Sequence, residues 1–253
     1  MTKMQHDLGR QLAYFNSRPK HNDQPLRVYQ PESERLAVAI SRQTGSGALR
    51  VAEGLAVYLQ ALTPQAEPPW RMFDRTLMVK VLEDHQLPTR LAEFLPEDAR
   101  NTIDDMLQEL LGLHPPSWVI VQQSIETILN LVRVGNVILM GWGVNAVTSK
   151  LPNVFHVRLV ASLEHRIARI QARERLSPKA ALLYIQRSDR GRARYVKRHF
   201  HHEVSDVLQY GLTINTDHFS DAEVVRLIGD AVVSRHRSAG TGVRSLVASE
   251  THI

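Results

Sequence analysis

The chain has 253 residues, 43% hydrophobic and 23% charged, enough to bury a sizeable core. The absence of cysteine excludes disulfides, thiolate metal sites and a cysteine nucleophile, and no run of about 18 apolar residues suggests a membrane helix. The net charge of +5 and pI near 9.7 come from residues 158–202, where Arg166, Arg169, Arg173, Arg175, Arg187, Arg190, Arg192, Arg194, Lys197 and Arg198 gather. Such a cluster suits a polyanion, either a nucleotide or a nucleic acid.

In chain order, residues 1–34 are polar with few apolar anchors and read as a loosely docked N-terminal arm. They lack the charged-then-apolar layout of a secretory signal, so a cytoplasmic protein is expected. Leu36–Ser41 is a predicted strand. It breaks into Gly45-Ser46-Gly47 and resumes as a helix over Leu49–Gln60. A strand, a compact glycine loop and a helix N-terminus can turn backbone N–H groups onto a polyphosphate, with the helix dipole assisting. Ala48 stands where a phosphate-binding lysine would follow the second glycine, so another cation is needed. Arg42 and Arg50 flank the loop as candidates.

Beyond a proline-rich connection, Trp70–Asp74 is a short predicted strand. Helical spacing then runs from Thr76 to Leu111, and Ser117–Val134 forms a longer predicted helix. Asn136–Met140 is a continuously apolar strand that ends in Gly141-Trp142-Gly143. Asn153–Val160 is another strand, followed by helices over Leu163–Arg175 and Pro178–Arg187, the latter opened by Ser177-Pro178. The alternation Arg190-x-Arg192-x-Arg194 does not share one helix face and points to a loop or helix end. A last strand, Gly211–Thr216, precedes a helix over Asp217–Val233, and residues 236–253 read as a disordered tail. His199, His201, His202 and Glu203 lack a metal-ligand spacing, so no metal site is expected.

Strands alternating with helices predict an α/β fold with a parallel sheet, whose ligands sit at the carboxyl ends of the strands. There the loop at Gln43–Gly47, the loop at Gly141–Gly143 and the residues after Val160 converge.

The segments AISRQTGSGALRVAEGLA, FDRTLMVKVLEDHQLP, GNVILMGWGVNAV, FHVRLVASLEHRIARI, SDRGRARYVKRHF and GLTINTDHFSDAEVVRLI, in this order, resemble the cytidylate kinase-like proteins. That resemblance implies a three-layer P-loop kinase-like domain over residues 35–235, with a helical insertion at about 76–134 and an arginine-rich lid at about 176–205. It implies ATP and Mg²⁺ as cofactors, and transfer of the γ-phosphate to CMP, dCMP or a related nucleoside monophosphate. By the same resemblance Thr44, Gly45, Ser46 and Gly47 form the donor-phosphate loop, with Ala48 at its lysine position; Arg42, which flanks the loop, completes the expected donor site. Arg187, Arg190 and Arg194 neutralise the transferring group. Asp74, Arg75, Gly141, Trp142 and Gly143 border the acceptor.

Four positions depart from the pattern of true cytidylate kinases. Ala48 replaces the lysine, Arg50 the Mg²⁺-binding Ser/Thr, Trp142 an arginine and Gly191 a lid aspartate. The alternative is therefore a pseudokinase that binds nucleotide or a protein partner without catalysis. Nucleic-acid binding through residues 187–202 is a third reading.

Overall fold

In a computed structural model the described residues are 35–74, 117–141 and 143–249. The N-terminal arm, residues 75–116 of the helical insertion, and Trp142 lie outside them. Five strands form the sheet: β1 (Ala37–Arg42), β2 (Arg71–Phe73), β3 (Val137–Met140), β4 (Val154–Val160) and β5 (Leu212–Asn215). Their order is β2-β3-β1-β4-β5, and every pairing is parallel. Parallel strands covered on both faces need apolar side chains on both, which is why VILM and AVAI are unbroken and buried.

The helices are α1 (Ala48–Leu62), α2 (Ser117–Val134), α3 (Val144–Val147), α4 (Leu163–Glu174), α5 (Pro178–Phe200) and α6 (Asp221–Ser249). In α1 the buried residues Ala48, Val51, Ala52, Leu55 and Leu59 recur at helical spacing and face the sheet. They share a core with Val224, Val225, Ile228 and Val232 of α6 and with Val38, Ile40, Val157 and Leu159 of the strands. Tyr58 packs its ring on Gly229 and donates a hydrogen bond to Asp230 (2.8 Å), clamping α1 to α6. Ser162 and Ser177 cap α4 and α5 by accepting from His165 N–H and Ala180 N–H, and Pro178 occupies the first turn of α5.

Two elements differ from the sequence expectation. The helix expected to stop at Arg187 continues to Phe200, so Arg190, Arg192 and Arg194 lie on a helix and not in a loop. Nothing between Arg187 and Phe200 breaks it: Gly191 is buried inside the helix, and the left-handed turn comes only at His201 (φ 57°). The last helix starts at Asp221, after a 3₁₀ turn over Thr216–His218, and reaches Ser249, into the stretch expected to be disordered. Among the described residues no helix is long and apolar enough to cross a membrane.

His156 is buried in β4, its Nε2 lying 3.0 Å from Thr148 Oγ1. Thr148 gives its own hydroxyl proton to the Val144 carbonyl (2.6 Å), which leaves its oxygen to accept from His156 Nε2–H. Burial, aided by the charge of Arg235, pushes its pKa down to about 4 from an ordinary 6.5. Folding thus favours the neutral ring. The stability it confers is intact at neutral pH and is lost as pH falls from 6.5 towards 4, by roughly 3 kcal/mol. Denaturant unfolding from neutral pH to about pH 4 will show this loss in the wild type, and His156→Gln will flatten it.

Candidate functional site

The loop after β1 is tied to the sheet before it turns. Gln43 N–H donates to the Leu159 carbonyl (2.9 Å) and its side-chain oxygen accepts from Ala161 N–H (3.0 Å). Ser46, wholly buried, closes the turn by donating Oγ–H to the Gln43 carbonyl (2.8 Å). Gly45 (φ 86°) and Gly47 (φ 83°) adopt the left-handed conformation that lets the backbone curl around a ligand. Gly47 is then the N-cap of α1 with no side chain on the helix end, which leaves the first N–H groups open to an anion.

The loop opens on a cavity of about 1070 Å³ at the carboxyl ends of the strands. Eight arginines (42, 50, 158, 169, 173, 187, 190 and 192) and four carboxylates (Asp74, Glu174, Asp189 and Glu203) line it. The imbalance favours an anionic ligand, and arginine keeps its charge at any working pH.

Ala48 leaves the lysine position apolar and buried. Arg50 does not fill it: its side chain is 79% exposed and pairs with Asp221 (2.7 Å). Arg169 of α4 comes closest to the loop's end. A Cβ placed on Gly47 would meet its Nη1 at 1.8 Å, and Asp221 (3.0 Å) and His165 (3.2 Å) hold the guanidinium there. Arg42 lies over Gly141 (φ 102°), whose added Cβ would sit 3.0 Å from Arg42 Nη1.

Helix α5 meets the loop through Asp189. Its Oδ1 accepts from both Thr44 N–H (2.9 Å) and Thr44 Oγ1–H (2.8 Å), while Oδ2 receives Arg166 Nη1–H (2.6 Å). Arg192, one turn on, donates to the same carboxylate and to Thr44 Oγ1. Burial pulls the Arg192 pKa down, and the Asp189 charge opposes that pull. A carboxylate and two arginines thus join α4, α5 and the loop.

Of the residues expected at the site, Arg42, Thr44, Gly45, Ser46, Gly47, Ala48, Asp74, Gly141, Gly143, Arg187 and Arg190 all line the cavity. Arg194 is not among the lining residues, although Arg187, Arg190 and Arg194 fall on one face of α5 by spacing. Gly143 is packed under the Phe200 ring, which docks the end of α5 on the β3–α3 turn. Arg75 and Trp142 lie outside the described residues. Sequence reasoning missed Asp189, Arg192, Arg166, Arg169 and Arg158 as site residues. Arg158 left a signal, being the single cation inside the strand VFHVRLV. Asp189 left none.

Arg50 occupies the Ser/Thr position, and among the described residues no group of three His, Asp or Glu could hold a metal ion. The His199 ring lies tilted against Tyr195 with centres 4.9 Å apart, His202 Nδ1 lies 3.1 Å from Gln209 Oε1, and Glu203 pairs with Lys197. The loop and its arginines, by contrast, fit a polyphosphate.

A parallel sheet in this order, with a glycine loop between β1 and α1 and arginine-bearing helices over it, defines a P-loop kinase-like protein. The chain belongs to the cytidylate kinase-like family, whose model matches residues 37–218. Among solved structures it is similar to an uncharacterized protein from Eubacterium ventriosum ATCC 27560. The two are 18% identical with a TM-score of 0.55, covering 79% of this chain and 99% of that one. It is also similar to shikimate kinase from Bacteroides thetaiotaomicron (10% identity, TM-score 0.45, covering 78% and 98% of the two chains). A further similar structure is shikimate kinase from Acinetobacter baumannii in complex with shikimate (12%, 0.44, 79% and 94%). At these identities the likeness concerns the fold alone. No curated protein matches the chain.

Proposed function

We propose that this protein binds a nucleoside triphosphate on Thr44–Ala48 and transfers its terminal phosphoryl group to a nucleoside monophosphate, with CMP and dCMP the leading acceptors. The observation that carries this reading is the pair of left-handed glycines at the N-terminus of α1, opening on an arginine-lined cavity. Phosphoryl transfer asks a protein mainly to hold two polyanions in line and neutralise them. Backbone N–H groups of Gly45, Gly47 and Ala48 would take the donor phosphates. Arg169, beside Gly47, would supply charge where Ala48 cannot, and Arg187, Arg190 and Arg192 would reach the phosphates from the lid. Their position on the cavity wall favours a small nucleotide over an external nucleic acid.

The second reading, a nucleotide-binding pseudokinase, is favoured by Ala48 and by the Asp189 carboxylate seated on Thr44 N–H. Pure protein incubated with ATP, Mg²⁺ and each of CMP, dCMP and UMP separates the two. Formation of the diphosphate is the expected result. Nucleotide binding without turnover across that panel would establish the pseudokinase instead.

A further inference from the structure

Arg158 is the most deeply buried cation of the cavity wall, 7% exposed, and no carboxylate among the described residues pairs with it. Its Nη1 donates to Ser41 Oγ (2.8 Å), directly opposite in the β1–β4 register. Its guanidinium carbon lies 5.5 Å from the centre of the Tyr210 ring. Tyr210 is fixed in turn, its hydroxyl donating to the Val204 carbonyl (3.0 Å) and lying 3.2 Å from Ser41 Oγ. A neutral hydroxyl and a ring face hold a guanidinium in one place but leave its charge uncompensated. Arg192 is close enough for the two charges to repel, and its one carboxylate, Asp189, is already shared with Arg166.

Side chains alternate along β4. Phe155, Val157 and Leu159 join the core under α1 and α6, so Arg158 stands on the other face of the sheet. The donor loop runs into α1 on the first face. An anion between Arg158 and Arg192 would therefore lie beside the loop, reached from the opposite face.

We propose that Arg158, held by Ser41 and Tyr210, binds the phosphate monoester of the acceptor. This rests on the nucleotide reading of the loop and adds the residue that selects the acceptor's phosphate. A dianionic phosphate bridging Arg158 and Arg192 compensates both guanidiniums, and its free oxygen faces the donor's terminal phosphorus. That oxygen forms the new P–O bond while the bond to the donor's bridging oxygen breaks, giving two diphosphates.

Calorimetric titration of wild type, Arg158→Gln and Arg158→Lys with ATP, CMP and cytidine tests this, with thermal unfolding as the control for folding. The wild type should bind CMP more tightly than cytidine. Arg158→Gln should weaken CMP by about tenfold or more, the scale of one charge-assisted contact, and leave ATP and cytidine unchanged. Arg158→Lys should recover part of the CMP affinity. CMP binding unaltered in Arg158→Gln would overturn the proposal, as would a parallel loss of ATP binding or a wild type that binds CMP no better than cytidine. Failure of ATP to bind wild type while the CMP arm holds would sink the loop reading alone.

Discussion

Asp189→Asn is expected to lower the stability of the free protein and to tighten its hold on ATP. The carboxylate is the shared acceptor for Arg166, Arg192 and the Thr44 N–H and hydroxyl, so its loss leaves two guanidiniums facing one another without a counter-charge. Breaking a buried charge pair costs about 3–5 kcal/mol. These side chains are 11–28% exposed, so about 2 kcal/mol is the better figure, or a fall in Tm of roughly 4–8 °C for a chain of this size. An arriving phosphate would then meet a Thr44 N–H held only by a neutral amide oxygen, and arginines without a counter-charge. The variant's Tm should consequently rise more on adding ATP than the wild type's does. Equal ligand-induced shifts in the two proteins would show that Asp189 does not compete with the nucleotide.

Gly45→Ala is expected to be more damaging than Gly47→Ala, although both replace a left-handed glycine in one loop. At Gly45 a Cβ would lie 2.7 Å from the carbonyl oxygen of Arg166 and 2.9 Å from its Cα, atoms of the α4 backbone that cannot turn aside. Strain at positive φ adds about 1–3 kcal/mol to that clash, so a total loss near 3 kcal/mol or more is expected. At Gly47 the nearest atom is the Arg169 guanidinium, the mobile end of a side chain. It can swing off the loop, so Gly47→Ala should cost only about 1–2 kcal/mol in stability while removing the cation proposed to stand in for the lysine. Denaturant unfolding and ATP titration of the pair check this. Gly45→Ala should fail mainly in stability, and Gly47→Ala mainly in nucleotide affinity.

The contrast shows where sequence reasoning was sufficient. Gly45 and Gly47 were readable as loop residues because an apolar strand before them and a helical pattern after them are local signals. The caps at Ser162 and Ser177 were written in the same local way, a serine followed by helix-forming residues. The end of the Pro178 helix was misplaced because five arginines or lysines in 190–198 look like a solvated or phosphate-wrapping loop when their partners are unknown. On the folded chain Ala181, Ile185, Gly191, Tyr195 and Val196 give that stretch a continuous buried face, and burial carries the helix through to Phe200.

By itself the sequence determined the five strands, the glycine loop, the missing lysine and the gathering of arginines. Each depends on residues near one another in the chain. Only the tertiary structure decided which arginines face the loop and what holds them. The pairs that do so, Thr44 with Asp189 and Ser41 with Arg158, are 145 and 117 residues apart. Parallel strands have long crossovers between them, so such neighbours are set by sheet register and by the packing of α4 and α5 across it. No spacing along the chain encodes that register, which is why Arg158 reads as a blemish in an apolar strand and stands, once folded, at the wall of the site.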